Sequence, residues 1–392
     1  MAKYSISTPD DQTATWVELF FDLIFVFSIT QLVGLFHDGV TWTSVGQATL
    51  AFWLVWWAWG QFTWVLNAAD TKNSAVELIT LLAGAVAFVM AVTVPDAFGE
   101  RALWFAITYV VVRIIGLVLS ILTSSKTDNQ QSVALTFAVL SLGGLGAVIA
   151  GAIAGDVAQY WFWGGAIVLD MFAAQLGAKS GDWRMQVEHF SERHGLFVII
   201  ALGESLIIAA HGLTGHEWTV ELAIFSIGAL AMTFGLWWSY FASAKDDLDR
   251  VIEEKDSRGV NVTELLRDVF SMIHFPMLLG IIGIAVAVEE GIAHPDHVLE
   301  LEARLMLGIG MILFVGGMAL AVFRAGGGLQ LRRLVIVLIT ALAVIFVEGT
   351  ESYVPILIAT AGLFVLAFAE KIGEKADIPE AAETAEAAEV AE

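Results

Sequence analysis

The chain of 392 residues contains no cysteine, only 6 prolines, and only 19 lysines and arginines against 41 acidic residues. Without thiols there is no disulfide framework, no thiolate metal site and no iron–sulfur centre. A formal net charge of −22 argues against a nucleic-acid partner, which calls for a basic face. Charged residues make up 15% of the chain, where soluble domains carry about a quarter. Also missing are a Gly-rich phosphate loop, a nucleophile elbow and a zinc-protease motif. The chain is therefore read as no enzyme, with no cofactor and no metal. Residues 1–15 are short, polar and acidic and lack the apolar stretch of a signal peptide, so the first apolar run is expected to serve as its own anchor.

Long apolar runs fill the space those absences leave. Hydrophobic residues make up 58% of the sequence, and Val17–Phe36, Val133–Ala154, Leu196–Ala210 and Ala303–Phe323 approach the roughly 20 residues needed for one bilayer crossing. Taking charged, polar and Gly/Pro clusters as loops gives about twelve spans, near 16–36, 45–66, 75–95, 102–123, 132–153, 157–178, 195–213, 219–243, 267–290, 301–323, 331–348 and 352–370. Loop charge tests this count. Twelve spans put sixteen of the 19 basic residues on one side, with Arg101 and Arg304 opposite and Arg113 inside a span. That asymmetry makes this side cytoplasmic, with both termini there. Trp42, Trp104, Trp161, Trp163 and Trp218 then fall near the outer interface as an aromatic belt.

The expected fold is thus an all-α polytopic transmembrane bundle in the cell membrane, in contact with the lipid bilayer. The halves resemble each other: Trp56-Trp57 in span two matches Trp237-Trp238 in span eight, and Leu19-Phe20 and Ser28 match Leu196-Phe197 and Ser205. Six spans per half make the repeat parallel. The organisation reads as an N-terminus 1–15, a first six-helix half 16–178, an amphipathic linker 179–194, a second half 195–370 and a tail 371–392. The tail, with seven acidic and two basic residues, reads as disordered. Residues 245–258 alternate in sign, with Asp246/Arg250 and Glu254/Arg258 at helical spacing, and read as a solvated helical extension.

A carboxylate at mid-membrane costs about 2.5–3.5 kcal/mol on insertion scales and so needs a cavity, a partner or a proton. Asp22, Asp170 and Glu204 all fall deep within spans. Asp22 lies roughly 9 Å inside Trp16 at 1.5 Å per residue, and Glu18 precedes it by one turn on the same face, close enough to the interface to be solvated. Arg113 and Glu77 lie in spans four and three. One reading makes the deep acids exchange sites for a proton or cation; the other makes them structural ion pairs, for example Asp22 or Asp170 with Arg113. His189, Glu192 and Arg193 share a helical face, with Glu188 and His194 beside them, in too few ligand positions for a metal. His274 stands two residues before Pro276, which frees a carbonyl and is expected to kink the helix; the site reads as a packing kink, or as a gate or proton relay with a titratable ring. Trp53, Trp57, Gln61 and Trp64 form a stripe, flanked by Trp56 and Trp59, that packs as a core or lines a cavity with Trp237 and Trp238.

Two long motifs carry a family resemblance. Trp16-Val-Glu-Leu-Phe-Phe-Asp-Leu-Ile-Phe-Val-Phe-Ser-Ile-Thr-Gln-Leu32 and Glu188-His-Phe-Ser-Glu-Arg-His-Gly-Leu-Phe-Val-Ile-Ile-Ala-Leu-Gly-Glu-Ser-Leu206 resemble the bacterial and archaeal low temperature requirement A family. Asp170 and Trp237-Trp238 fit the same pattern, over about residues 15–370. The resemblance implies an integral protein of the cell membrane, and maps the family's motif residues onto Glu18, Asp22, Glu188, His189, Glu192, Arg193, His194 and Glu204. It implies no substrate. The sequence as a whole reads as a proton- or cation-coupled secondary transporter, with an inorganic ion and a small-molecule substrate as partners and a homo-oligomer left open. An ion channel and a membrane sensor or scaffold are the alternatives.

Overall fold

The computed structural model describes residues 12–37, 39–124, 130–179, 185–214, 218–293 and 297–389. They fold into helices α1 (Trp16–Val33), α2 (Trp42–Asn67), α3 (Ser74–Thr93), α4 (Ala102–Thr123), α5 (Gln130–Ala154), α6 (Asp156–Lys179), α7 (Val187–Thr214), α8 (Val220–Ser239), α9 (Lys245–Ser257), α10 (Thr263–Leu266), α11 (His274–Ala293), α12 (Leu301–Met311), α13 (Gly317–Ala325), α14 (Leu331–Phe346) and α15 (Tyr353–Glu389). Apart from one isolated bridge, Val298 to Glu351, no β-structure occurs among the described residues.

Eight helical stretches among the described residues are long and apolar enough to cross a membrane: Trp16–Phe36, Ser74–Asp96, Ala102–Thr123, Gln131–Ala154, Val220–Ser257, Thr263–Ala293, Leu301–Ala325 and Tyr353–Ile372. The other helices within the expected spans are less apolar or shorter. α2 carries six indoles besides Gln, Asn and Thr, α7 opens on charged residues, and α14 has 16 residues.

α3 shows which solvent the outside faces. It buries Thr80, Ala83, Gly84, Ala87 and Ala91 and turns Leu78, Leu81, Leu82 and Phe88 outward. Small side chains within and large apolar ones without suit lipid, where close backbone approach, not apolar burial, drives helix association. Trp42, Trp104, Trp161 and Trp218 are exposed, as a belt requires. Trp163 is not: it is fully buried, packs on Phe105 and donates to the Val148 carbonyl at 3.0 Å.

α1 packs on α2, α3 and α7, α3 on α4, and α4 on α5, which lies along α6. α7 packs on α8 and α11, α11 on α12, α12 on α14, and α14 on α15. Wide π-helical turns, Tyr240–Ala244, Arg267–Ile273 and Ile312–Gly316, interrupt the helices of the second half. The second of these ends just before His274. Pro276 has no N–H and its ring crowds the carbonyl four residues back, and the wide turn lies where a simple kink was expected.

Three further differences from the sequence reading have physical causes. Arg304, counted on the outer side near the start of its span, is buried and donates to the Ile345 carbonyl at 2.8 Å and to that of Val347, so it satisfies the end of α14. Arg250 pairs with Asp247 at 2.6 Å, one position nearer than Asp246, while Leu248 and Ile252 anchor α9 to the bundle. The tail read as disordered continues α15 to Glu389, consistent with its strong helix formers Ala and Glu.

A close backbone-to-backbone approach joins α11 to α12. A Cβ on Gly280 would stand 2.5 Å from the Gly310 carbonyl oxygen, and one on Gly310 would stand 2.6 Å from the Gly280 carbonyl oxygen. Gly280→Val is expected to destabilise the fold by about 1–3 kcal/mol through overpacking, seen as a lower thermal midpoint in detergent. Gly46→Ala, where a Cβ meets nothing within 4 Å, should leave the midpoint unchanged or raise it.

Candidate functional site

Two buried charged centres occupy the bundle, and they differ in charge balance. The first lies between α1 and α7. Glu18, Asp22 and Arg193 are all fully buried, and His189 is 1% exposed. Arg193 reaches both carboxylates: Nη1 donates to Glu18 Oε1 at 3.2 Å, Nη2 donates to Asp22 Oδ1, and Nε approaches Asp22 Oδ2 at 3.4 Å. Its guanidinium also lies 5.9 Å from the Trp59 ring, whose N–H donates to Asp22 at 2.7 Å.

Glu18 is not solvated at an interface. It forms half of the cap of α1, accepting from the Thr15 N–H and hydroxyl at 2.9 Å each, and it meets His189 Nε2 at 3.1 Å. On the far side of that ring, Nδ1 accepts from the Asn67 amide at 3.2 Å, so Nε2 carries the hydrogen that faces Glu18. Asn67 in turn holds Gln186, donating to its carbonyl at 2.9 Å and accepting from its N–H at 3.0 Å. α7 thus begins at Val187, and the segment read as an amphipathic linker supplies two buried turns. Glu188 stays exposed, and Glu192 accepts from the Ala14 N–H at 3.0 Å.

The second centre joins α4 to α6. Arg113 is fully buried and spends every donor: on Asp170 at 3.0 and 3.1 Å, Gln61 at 2.7 Å, Tyr109 at 2.7 Å and Ser141 at 3.5 Å. One cation meets one anion, and the guanidinium is saturated. Asp170 thus brings no unpaired negative charge. At the first centre two carboxylates share one guanidinium, with the His189 ring against Glu18. One proton on Glu18, Asp22 or His189 would balance it.

Aromatic residues pack beside the first centre. Trp56 packs on Trp59 at 4.7 Å and donates to the Ser271 carbonyl at 2.7 Å, and Trp64 donates to the Ser271 hydroxyl at 3.1 Å. His194 sits edge-on to Trp59 at 4.9 Å and 5.6 Å from the ring of His274. His274 Nδ1 lies 2.9 Å from the Val269 carbonyl across the π-turn, and Nε2 lies 2.9 Å from the Tyr240 hydroxyl. Trp53 and Trp57 stack on each other at 5.6 Å. Trp237 and Trp238 do not join them: Trp237 is half-exposed against Phe241, and Trp238 lies 4.6 Å from Lys371 Nζ. Glu204 falls in the middle of α7, with its side chain outside the described residues. Sequence reasoning placed Trp59 beside the indole stripe but not on Asp22, and it missed Asn67, Tyr109 and Tyr240. Only Tyr109 had a signal, being four residues before Arg113 on one helical face.

The Arg113–Asp170 pair predicts strong non-additivity. Arg113→Met or Asp170→Leu alone should each cost about 3–5 kcal/mol by stranding a buried charge, and the double variant should cost less than either. Unfolding by a denaturing detergent, monitored by helix content, would measure the cycle, and additive losses would rule out a tight pair.

The family model for bacterial low temperature requirement A protein (LtrA) matches residues 13–368. An uncharacterized protein of Rhizobium meliloti (strain 1021), RA0937, is 28% identical over 319 residues, which is 78% of this chain and 76% of its own length. No solved structure matches the chain. The family match includes both α1, with its two carboxylates, and α7, with the arginine that holds them, and the chain belongs to the low temperature requirement A family.

Proposed function

We propose that this protein is a secondary transporter of the cell membrane, driven by a proton or inorganic cation that exchanges at the Glu18–Asp22–His189–Arg193 centre. The observation that carries this reading is the charge count: two carboxylates against one guanidinium, all without exposure. A buried surplus anion is costly, so occupancy by one proton or cation and its release are states of different energy. Such a difference is what couples an ion to a conformational change. Glu204 belongs to the same proposal on sequence grounds, as a third deep carboxylate. Asp170 enters it as the fastening of α4 to α6. No enzymatic step is part of the reading.

Twelve spans with both termini cytoplasmic, arranged as two parallel six-helix halves, complete the proposal. The order of helix contacts supports the halves: α1 to α3, α3 to α4, α4 to α5 and α5 to α6 in the first correspond to α7 to α11, α11 to α12, α12 to α14 and α14 to α15 in the second. The ion centre would then join the first helix of each half, at the place where rocking of one half against the other opens or closes a path. A sensor that moves nothing would need the same buried pair only for stability.

The test is flux in proteoliposomes under imposed proton, sodium or potassium gradients. Asp22→Asn and Glu18→Gln are each expected to lower gradient-driven flux at least tenfold in protein that remains folded and monodisperse. Full activity of both variants, or silence of the wild type under every gradient with a range of solutes, would sink the coupling role. For topology, a reporter fused after Glu392 should report cytoplasm, and an extracellular signal would end the twelve-span arrangement.

A further inference from the structure

Beside the ion centre lies a cavity of about 130 Å³ that neither charged pair uses. Its wall is formed by Trp56, Trp57, Gly60 and Trp64 of α2, by α4, α5 and α6, and by Thr263 and Arg267 at the start of the α10–α11 stretch. Most of that wall is apolar, with indole faces on one side. Its volume approaches that of engineered cavities of about 150 Å³ that hold benzene.

The polar part of the wall is incomplete. Arg267 is 8% exposed; its Nε and Nη2 donate to Asp268 at 2.9 and 2.6 Å, and its Nη1 donates to Gln175 at 3.2 Å. Among the described residues one N–H on each terminal amino group is left over, enough for two hydrogen bonds to an anion. Asp268 does not neutralise it alone, because Arg324 Nε shares that carboxylate at 3.0 Å. Two guanidiniums thus share one acid. Thr263, 2% exposed, adds a buried hydroxyl with no hydrogen-bond partner.

We propose that this cavity binds a small aromatic carboxylate, its ring against the indoles of α2 and its carboxylate on Arg267. The surplus positive charge selects an anion, the two spare donors give it two hydrogen bonds, and the indoles with the benzene-sized space select the ring. The site also has a physical link to the ion centre. Trp56 lines the cavity and packs on Trp59, and Trp59 donates to Asp22. A ligand that presses on Trp56 therefore presses on the donor that holds the exchanging carboxylate. That the occupant is the transported substrate rests on the transporter reading; that it binds does not.

The experiment is equilibrium binding of radiolabelled benzoate to the purified full chain in detergent. Saturable binding is expected in the wild type, at least tenfold weaker in Arg267→Gln, and not displaced by excess benzyl alcohol. Gly60→Leu supplies a variant that leaves Arg267 untouched. A Cβ at Gly60 meets nothing within 4 Å and the residue is mid-helix, so this change should fill the cavity, abolish binding and leave the thermal midpoint unchanged or higher. Absence of saturable binding, equal binding in both variants, or equal competition by benzyl alcohol would overturn the proposal. Asp22→Asn should still bind benzoate. Benzoate binding with no benzoate flux in proteoliposomes would uphold the site and remove the transport reading alone.

Discussion

One guanidinium fastens the first helix of this bundle to the seventh. Arg193 extends from α7 to two carboxylates on α1, out of reach of bulk solvent. In such surroundings a charge is tolerable only if its hydrogen bonds are met and its partners are fixed. The neighbouring residues supply that fixing: the start of α1 caps itself with Glu18, His189 turns one nitrogen toward the same acid, Asn67 sets the ring, and Trp59 holds Asp22. Removing any one of them leaves a polar atom with nowhere to turn.

The two centres use the same residue types to opposite ends. Around Arg113, five donors find five acceptors and the charges cancel, which makes a rigid tie between α4 and α6. Around Arg193 the charges do not cancel, and the imbalance lies at the contact between α1 and α7. The π-turns of the second half lie close by. They widen the helix where Tyr240 and His274 meet and where Arg267 enters its cavity, and helices with such turns are less uniform in register than plain ones.

How much of this was legible beforehand follows from what sequence patterns encode. Apolar length located the helices, because a span of about 20 residues is dictated by bilayer thickness. Asp22, Asp170, Arg113, His189 and Arg193 stood out as singular charges in apolar or motif-bearing segments, and the structure buries all of them. Partner choice was not legible. Arg113 was equally compatible with Asp22 or Asp170, because pairing across 57 or more residues depends on which helices touch. The spacing of 171 residues between Asp22 and Arg193 carries no local signal at all. Trp163 went to the wrong place for a related reason: an indole near a helix end suits an interface or a core equally well, and only packing on Phe105 decides.

The same spacing has a consequence for how the protein is made. α1 is synthesised early and α7 late, and at about 5–20 residues per second the 171 residues between Asp22 and Arg193 take roughly 10–30 s to emerge. Over that interval α1 carries two carboxylates and no arginine. It can wait only at the membrane entry machinery, at the water interface, or with its acids protonated, and its final seat in the bilayer is fixed by a helix that does not yet exist. Insertion of the first helix is in this sense completed by the seventh, and a ribosome that stalls between them leaves behind a segment with a built-in mark of incompleteness.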